Sequence, residues 1–102
     1  AKFPPPVRFS IDYDPKNIWE YNDYQGASLM SFVDLFTKYG YSLVCCNAAS
    51  GANAFFVKDK HKDLFPEVPA KLEEIYTPPH FHLFGAFGHT PSVKTIQSVI
   101  KN

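Results

Sequence analysis

Two carboxylates near the N-terminus have a spacing that suits acid–base or metal chemistry. Asp12 and Asp14 are two residues apart, so on an extended segment their side chains share one face. Paired carboxylates can bind a metal ion or act as a general base. Asp14 is followed by Pro15, however, and this dipeptide is typical of a turn. The sequence therefore favours a turn at Asp14 and a solvated Asp12 over a reactive pair.

Three aromatic residues follow these carboxylates. Trp19, Tyr21 and Tyr24 offer flat apolar faces on which a planar or sugar-like ligand can stack. The competing interpretation, which the sequence favours, is that they pack a long loop onto the rest of the fold. Long ordered loops of this kind are often functional.

Histidines are the remaining candidates for metal binding. His80 and His82 flank Phe81, and on a strand both imidazoles point the same way, as a pair of zinc ligands does. His61 or His89 would have to complete the site. Because no third ligand is fixed by spacing, the pattern favours no metal. A serine hydrolase is not indicated either, since the chain has no G-x-S-x-G turn.

The two cysteines are adjacent in sequence. Cys45 and Cys46 point to opposite faces of a strand, which opposes the geometry of a disulfide. They are expected to be small apolar residues of a buried strand rather than reactive thiols, because no cation lies near them in sequence. Unpaired cysteines favour a reducing compartment, so we predict a cytoplasmic protein.

Composition limits the remaining classes of function. The 102 residues allow one domain with a small core, and 45% hydrophobic residues exclude a disordered chain. Ten basic and ten acidic residues cancel, so nothing indicates a nucleic-acid or anionic-membrane partner. No apolar run reaches the roughly 18 residues of a membrane span. Because the chain begins with Ala1 and has no signal-peptide pattern, we expect a part of a larger protein.

A helix and two strands must position these side chains. An apolar stripe with helical spacing predicts a helix over residues 28–39, with Asp23 or Ser28 as N-cap and Gly40 at the C-terminal cap. The stripe consists of Leu29, Phe32, Val33, Phe36 and Tyr39.

Strands are predicted next along the chain. Tyr41–Cys46 is a near-continuous apolar run, typical of a strand covered on both faces. The turn-rich residues 47–53 are too short for a crossover, so a strand at 54–57 must pair with it antiparallel. Weaker patterns indicate an edge strand at 7–11, helical turns at 69–75 and a terminal helix at 92–101.

The stretch from Asp23 to Asp59 carries a resemblance to a known family. The segments DYQGASL, GYSLVCCN and GANAFFVKD resemble the C-terminal part of FkbM-like, S-adenosylmethionine-dependent methyltransferase-like proteins. The resemblance covers about residues 3–65. Residues 66–102 are predicted to be a C-terminal extension of unknown role.

This resemblance implies a fold and an activity. It implies an α/β fold in which residues 1–65 are the C-terminal portion of a Rossmann-like methyltransferase domain. This portion would contain a crossover helix, a parallel strand and an antiparallel edge strand. The parent protein would transfer a methyl group from S-adenosylmethionine. The chain has no G-x-G-x-x-G turn, and residues 85–88 are a poor substitute. No cofactor is therefore expected on this chain alone, which would be inactive without the missing N-terminal half.

The resemblance also implies a position for the substrate. Ligands of open α/β sheets bind beyond the carboxyl ends of the parallel strands, so the loops 3–27 and 47–53 are expected on one rim. A small-molecule or sugar-like substrate would then be bound by Asp12, Asp14, Trp19, Tyr24, Asn47 and Asn53.

Two other functions remain open at this point. One is a non-enzymatic interaction module whose aromatic residues 80–88 dock on a partner protein. The other is a small metal-binding domain. Because an incomplete sheet leaves edges unpaired, we also expect marginal stability or self-association.

Overall fold

One amphipathic helix and the β-hairpin that follows it form the centre of the fold. The computed structural model describes residues 3–49, 51–78 and 91–101. Their elements are α1 (Leu29–Lys38), β1 (Tyr41–Cys46), β2 (Ala54–Lys58), a 3₁₀ helix (Asp59–Leu64), α2 (Leu72–Ile75) and α3 (Val93–Lys101). The protein is therefore a small mixed α/β structure. The predictions for His80, His82, His89 and residues 80–88 lie outside the described residues.

Helix α1 begins and ends close to where the sequence predicts. The Ser28 side chain, not that of Asp23, is the N-cap, because its oxygen accepts a hydrogen bond from the Ser31 N–H. Gly40 follows the helix with a φ of +82°, a conformation that glycine adopts without the strain of a side chain. The predicted cap residues at both ends are confirmed.

The hairpin has the predicted antiparallel pairing. Its register runs from Tyr41 opposite Lys58 to Cys46 opposite Ala54, with an irregularity between Leu43 and Cys45 that inserts one extra residue, as a β-bulge does. The described part of the chain contains only this two-stranded sheet, so the predicted parallel pairing stays a prediction.

Two details of the strand predictions are wrong. β1 is not covered on both faces along its whole length, because Cys46 is buried while Cys45 is exposed. The expected edge strand at residues 7–11 is reduced to one bridge, between Ser10 and Ala27. A short segment that lies beside a helix start has no sheet edge to extend along.

The main core lies between the hairpin and the helices. Leu29, Leu43 and Cys46 are its buried residues, and α2 covers it with Leu72 and Ile75. Part of the segment beyond residue 65 thus packs on the same core as α1 and the hairpin. Among the described residues, no helix has the length and apolar character needed to cross a membrane.

A second packing centre anchors the N-terminal segment to α1. Phe9 is fully buried, and its ring lies 5.4 Å from that of Phe3 and 6.2 Å from that of Tyr24, both edge-on. The Phe9 N–H donates to the hydroxyl oxygens of Ser28, at 3.0 Å, and Ser31, at 3.1 Å. The Ser28 N–H returns a bond of 2.7 Å to the Phe9 carbonyl. This pairing positions the loop that follows, residues 10–24.

Candidate functional site

A polar groove lies between the N-terminal loop and helix α3. Its volume is about 360 Å³, within the usual range for small-molecule sites. Four residues of the loop form one wall and four residues of α3 form the other. They are Asp12, Asp14, Asn17 and Tyr24 on the loop and Lys94, Gln97, Ser98 and Lys101 on the helix. We call this feature the acid–lysine groove.

Backbone hydrogen bonds shape the loop wall. The Asn17 N–H donates to the Asp14 carbonyl at 3.0 Å, and the Asp14 side chain accepts from the Lys16 N–H at 2.9 Å. The predicted turn at Asp14 is therefore confirmed. The Asp12 N–H donates to the Tyr24 hydroxyl at 3.0 Å, which brings the first carboxylate, its loop and an aromatic ring together.

Contacts distant in sequence hold α3 against this loop. The Asp23 carboxylate accepts from the Ser92 N–H at 2.8 Å, and the Ser92 side chain in turn accepts from the Thr95 N–H at 3.1 Å. A carboxylate and a hydroxyl at a helix N-terminus satisfy free N–H groups and oppose the positive end of the helix dipole. Further along the helix, the Ser98 hydroxyl donates to the Ser10 carbonyl at 3.3 Å.

Charges of both signs line the groove. Asp12 and Asp14 on the loop face a helix that carries Lys94 and Lys101, and all four residues are exposed. The Lys94 ammonium lies 5.5 Å from the centre of the Tyr24 ring, within cation–π range. Such a surface offers donors, acceptors and one aromatic edge to a polar ligand. Its described lining consists of carboxylates, ammonium groups, amides and hydroxyls, all of which are hydrogen-bonding groups.

The structure brings together three of the six predicted substrate residues. Asp12, Asp14 and Tyr24 share the groove, whereas Trp19 does not line it: the indole N–H donates to the Asn22 carbonyl at 2.7 Å, and its ring lies 4.8 Å from that of Tyr21. Trp19 therefore shapes the loop from within.

Asn47 and Asn53 lie at the turn of the hairpin instead. The Asn47 N–H donates to the Asn53 carbonyl at 2.9 Å, and the Asn47 side chain accepts from the Ala49 N–H at 3.0 Å. Neither belongs to the described lining of the groove. Their contact with a substrate stays a prediction.

The four helix residues of the groove were not predicted as site residues. Lys94, Gln97, Ser98 and Lys101 belong to α3, for which the sequence offers a helical period but no indication of its packing partner. The apolar side of that helix, an apolar stripe at helical spacing, is largely exposed to solvent, with Val93 69%, Ile96 52% and Ile100 78% exposed. Thr95 is buried instead. A polar face, not the apolar one, docks α3.

The described residues lack the elements of a Rossmann-type cofactor site, and the expectation that this chain alone binds no S-adenosylmethionine stays a prediction. A Rossmann-type site needs a glycine-rich turn between a parallel strand and a helix, whereas β1 and β2 belong to one hairpin. Gly51 has the positive φ that such turns use, but the carbonyl oxygens of Thr77 and Pro78 face it closely. Within the same residues, no three histidine, cysteine, aspartate or glutamate side chains are grouped as metal ligands would be.

The two cysteine side chains have opposite environments. Cys46 belongs to the core, and burial is the main reason that its thiol pKa is raised above the ordinary value. Burial likewise raises the pKa of the nearby Tyr76 hydroxyl. Cys45 is exposed on the other face of β1. Since the thiolate is the reactive form, the structure makes Cys45 the accessible thiol and Cys46 a packing residue.

Iodoacetamide should therefore alkylate Cys45 well before Cys46 in the folded protein. Fragment-ion mass spectrometry distinguishes the two adjacent sites, and in denaturant the preference should disappear. Equal alkylation of both thiols under native conditions would contradict the assignment.

The buried Cys46 thiol should also make stability depend on pH. Because the pKa of Cys46 is raised in the folded state, its contribution to stability is complete below the unfolded thiol pKa of about 8.5 and is lost as the pH rises through the folded value. Replacing Cys46 by alanine should reduce this loss of stability at alkaline pH.

Comparisons with models of known protein families, with curated proteins and with solved structures gave no match to this chain. The residues of this chain and the acid–lysine groove are therefore the basis for its proposed function.

Proposed function

We propose that this chain provides the substrate-binding surface of a methyltransferase-like protein and binds a small, polar, hydroxyl-bearing molecule in the acid–lysine groove. The observation that supports this most directly is that Asp12, Asp14 and Tyr24 line one groove. The resemblance of residues 3–65 independently predicts the same three residues as substrate contacts. The methyl-transfer part of the proposal rests on the resemblance of residues 3–65, and other residues would bind S-adenosylmethionine.

The chemistry of the groove favours a sugar-like ligand over an apolar one. Carboxylates accept hydrogen bonds from the hydroxyl groups of a ligand, and ammonium groups donate hydrogen bonds to the oxygens of those hydroxyl groups. Opposite charges on the two walls cancel, so an ion of either sign gains little overall. An apolar ligand would displace water from Asp12, Asp14, Lys94 and Lys101 without replacing their hydrogen bonds, which is unfavourable.

A titration with defined probes tests the binding step. Glucose, glucosamine and glucuronic acid are each added to the isotope-labelled protein, and amide shifts are followed by NMR. We expect saturable shifts confined to the loop 12–24 and to α3, with a double variant D12N/D14N binding about fivefold more weakly, since each of the two exposed charged hydrogen bonds is worth about 0.5 kcal/mol. The variant E20Q, at an exposed position outside the described lining, is the matched control.

Amide shifts that are absent, or that E20Q weakens as much as D12N/D14N, would remove the groove from the proposal.

S-adenosylhomocysteine tests the cofactor part of the proposal, namely that residues outside this chain bind S-adenosylmethionine. A ligand at a hundred times its Kd stabilises a protein by about 2.7 kcal/mol, so a raised melting temperature would show that this chain binds the cofactor itself. We expect an unchanged melting temperature.

A second candidate is a non-enzymatic interaction module. It is favoured by the apolar stripe of α3, where Val93, Ile96 and Ile100 are all more than half exposed. Apolar side chains grouped on one surface often mark a protein contact. Chemical shifts that stay constant with every sugar, together with intact folding, would favour this candidate.

A further inference from the structure

Strand β2 has one edge without a hydrogen-bonding partner in the described part of the chain. The Asp59 N–H donates to the Gly40 carbonyl, and the Asn53 carbonyl accepts from the Asn47 N–H, both at 2.9 Å. Backbone groups alternate in direction along an antiparallel strand. The backbone N–H and C=O groups of residues 53, 55, 57 and 59 therefore point towards β1. Those of Ala54, Phe56 and Lys58 point away from it. No described residue bonds to these outward groups.

This edge has few of the features that usually prevent pairing with another strand. Natural edge strands carry charges, prolines or bulges, whereas β2, with the sequence Ala-Phe-Phe-Val-Lys, has one charge, Lys58, at its end, and the bulge of the hairpin lies on β1. Phe55 is 48% exposed. Ala54 and Phe56 pack towards the core, so Phe55 and Val57 lie on the opposite, uncovered face.

We propose that β2 pairs antiparallel with β2 of a second copy of this chain. A twofold axis at Phe56 sets Phe56 opposite Phe56 and Ala54 opposite Lys58, so every outward group meets an outward group. The same register sets each Phe55 opposite Val57 of the other copy. These are aromatic–β-branched pairs, which stabilise sheets, and each would cover an exposed ring. No like charges are opposed.

The resulting sheet would have four strands, whereas the described residues form a sheet of two. Two copies would give the order β1–β2–β2–β1, and sheets usually have four to six strands, while an isolated hairpin is marginally stable. The other edge is a poorer candidate: a groove of about 470 Å³ beside β1 is walled by α2 and by residues 62–70. A second sheet would meet that segment.

Analytical ultracentrifugation of the full chain, from low micromolar to millimolar concentration, tests the proposal. We expect a reversible monomer–dimer equilibrium that F55K weakens by about tenfold, since both Phe55–Val57 pairs are lost at once. The variant C45K is the control, because Cys45 lies opposite Phe55 on the same exposed face but one strand away from the proposed contact. It should leave the dimerisation constant unchanged.

Two further readouts do not depend on F55K folding well. In the dimer, the amide protons of Phe56 and Lys58 should exchange slowly, and dilution should expose them. The variant A54P removes one outward N–H at the first residue of the strand, where proline is tolerated, and should also weaken the dimer. A chain that stays monomeric at every concentration overturns the proposal. A dimer that persists in the F55K and A54P variants but dissociates in the I96K variant also overturns it, because the contact then lies on α3.

Discussion

Replacing Phe9 by alanine should lower the free energy of unfolding by about 3 to 5 kcal/mol. The side chain is fully buried and touches the rings of Phe3 and Tyr24, so its removal leaves a cavity that these neighbours can fill only in part. The same residue aligns the backbone that binds Ser28 at the start of α1. Loss of its packing should loosen both the N-terminal loop and the helix cap.

Urea denaturation followed by circular dichroism measures this effect as a lower midpoint. The control is Tyr13→Ala, in the same segment, where the side chain is 92% exposed and substitution should change stability by no more than about 0.5 kcal/mol. Small domains are stable by only about 5 to 15 kcal/mol, so Phe9→Ala can leave much of the protein unfolded. Phe9→Leu keeps most of the apolar volume and should give an intermediate loss. Equal midpoints for Phe9→Ala and Tyr13→Ala would show that the segment is not anchored here.

Substitution of Gly51 by alanine should cost about 2 to 5 kcal/mol, for two separable reasons. Its φ of +67° is strained for any residue with a Cβ, by about 1 to 2 kcal/mol. An added methyl group would also lie only 2.6 Å from the carbonyl oxygen of Thr77 and closer still to that of Pro78. Backbone atoms cannot rotate away as a side chain does, so the turn or the 77–78 segment must move, at about 1 to 3 kcal/mol.

Gly26 separates the two contributions. It has a similar φ of +62°, but nothing lies within 4 Å of the position that its Cβ would take. Gly26→Ala should therefore show the conformational cost alone, and the difference between the two variants should equal the cost of the clash. Thermal and urea denaturation of both variants measure that difference. If Gly51→Ala were no more destabilising than Gly26→Ala, the hairpin turn would not pack against residues 77–78 as described.

Local sequence patterns predicted the elements at the centre of the fold. The apolar stripe, the Ser28 cap and Gly40 define α1 within one residue or so at each end, because helix signals act between residues three or four positions apart. The short connection between β1 and β2 permits only an antiparallel pair. The turn at Asp14 follows for the same reason, since an aspartate followed by proline decides the backbone locally.

The local patterns did not predict what covers each element. The sequence predicts the opposite orientations of the two cysteines but not the exposure of Cys45, because the apolar run of β1 has the same composition whether one or two layers pack on it. Likewise, the period of α3 correctly indicates a helix, yet the buried position is Thr95 and the apolar stripe is exposed. Periodicity identifies a face but not its partner.

The sequence by itself thus determined that this protein is a small α/β chain, with one capped helix, one hairpin and a short terminal helix. Only the tertiary structure decided the acid–lysine groove, because its two walls come from segments that are brought together by a bond between Asp23 and Ser92, 69 residues apart. The sequence makes Asp23 a candidate cap for α1, whereas its carboxylate accepts from the N–H of Ser92, the residue before α3. Such a contact depends on how the whole chain packs, and the energy of one hydrogen bond, about 1 kcal/mol, is too small to direct it from local sequence.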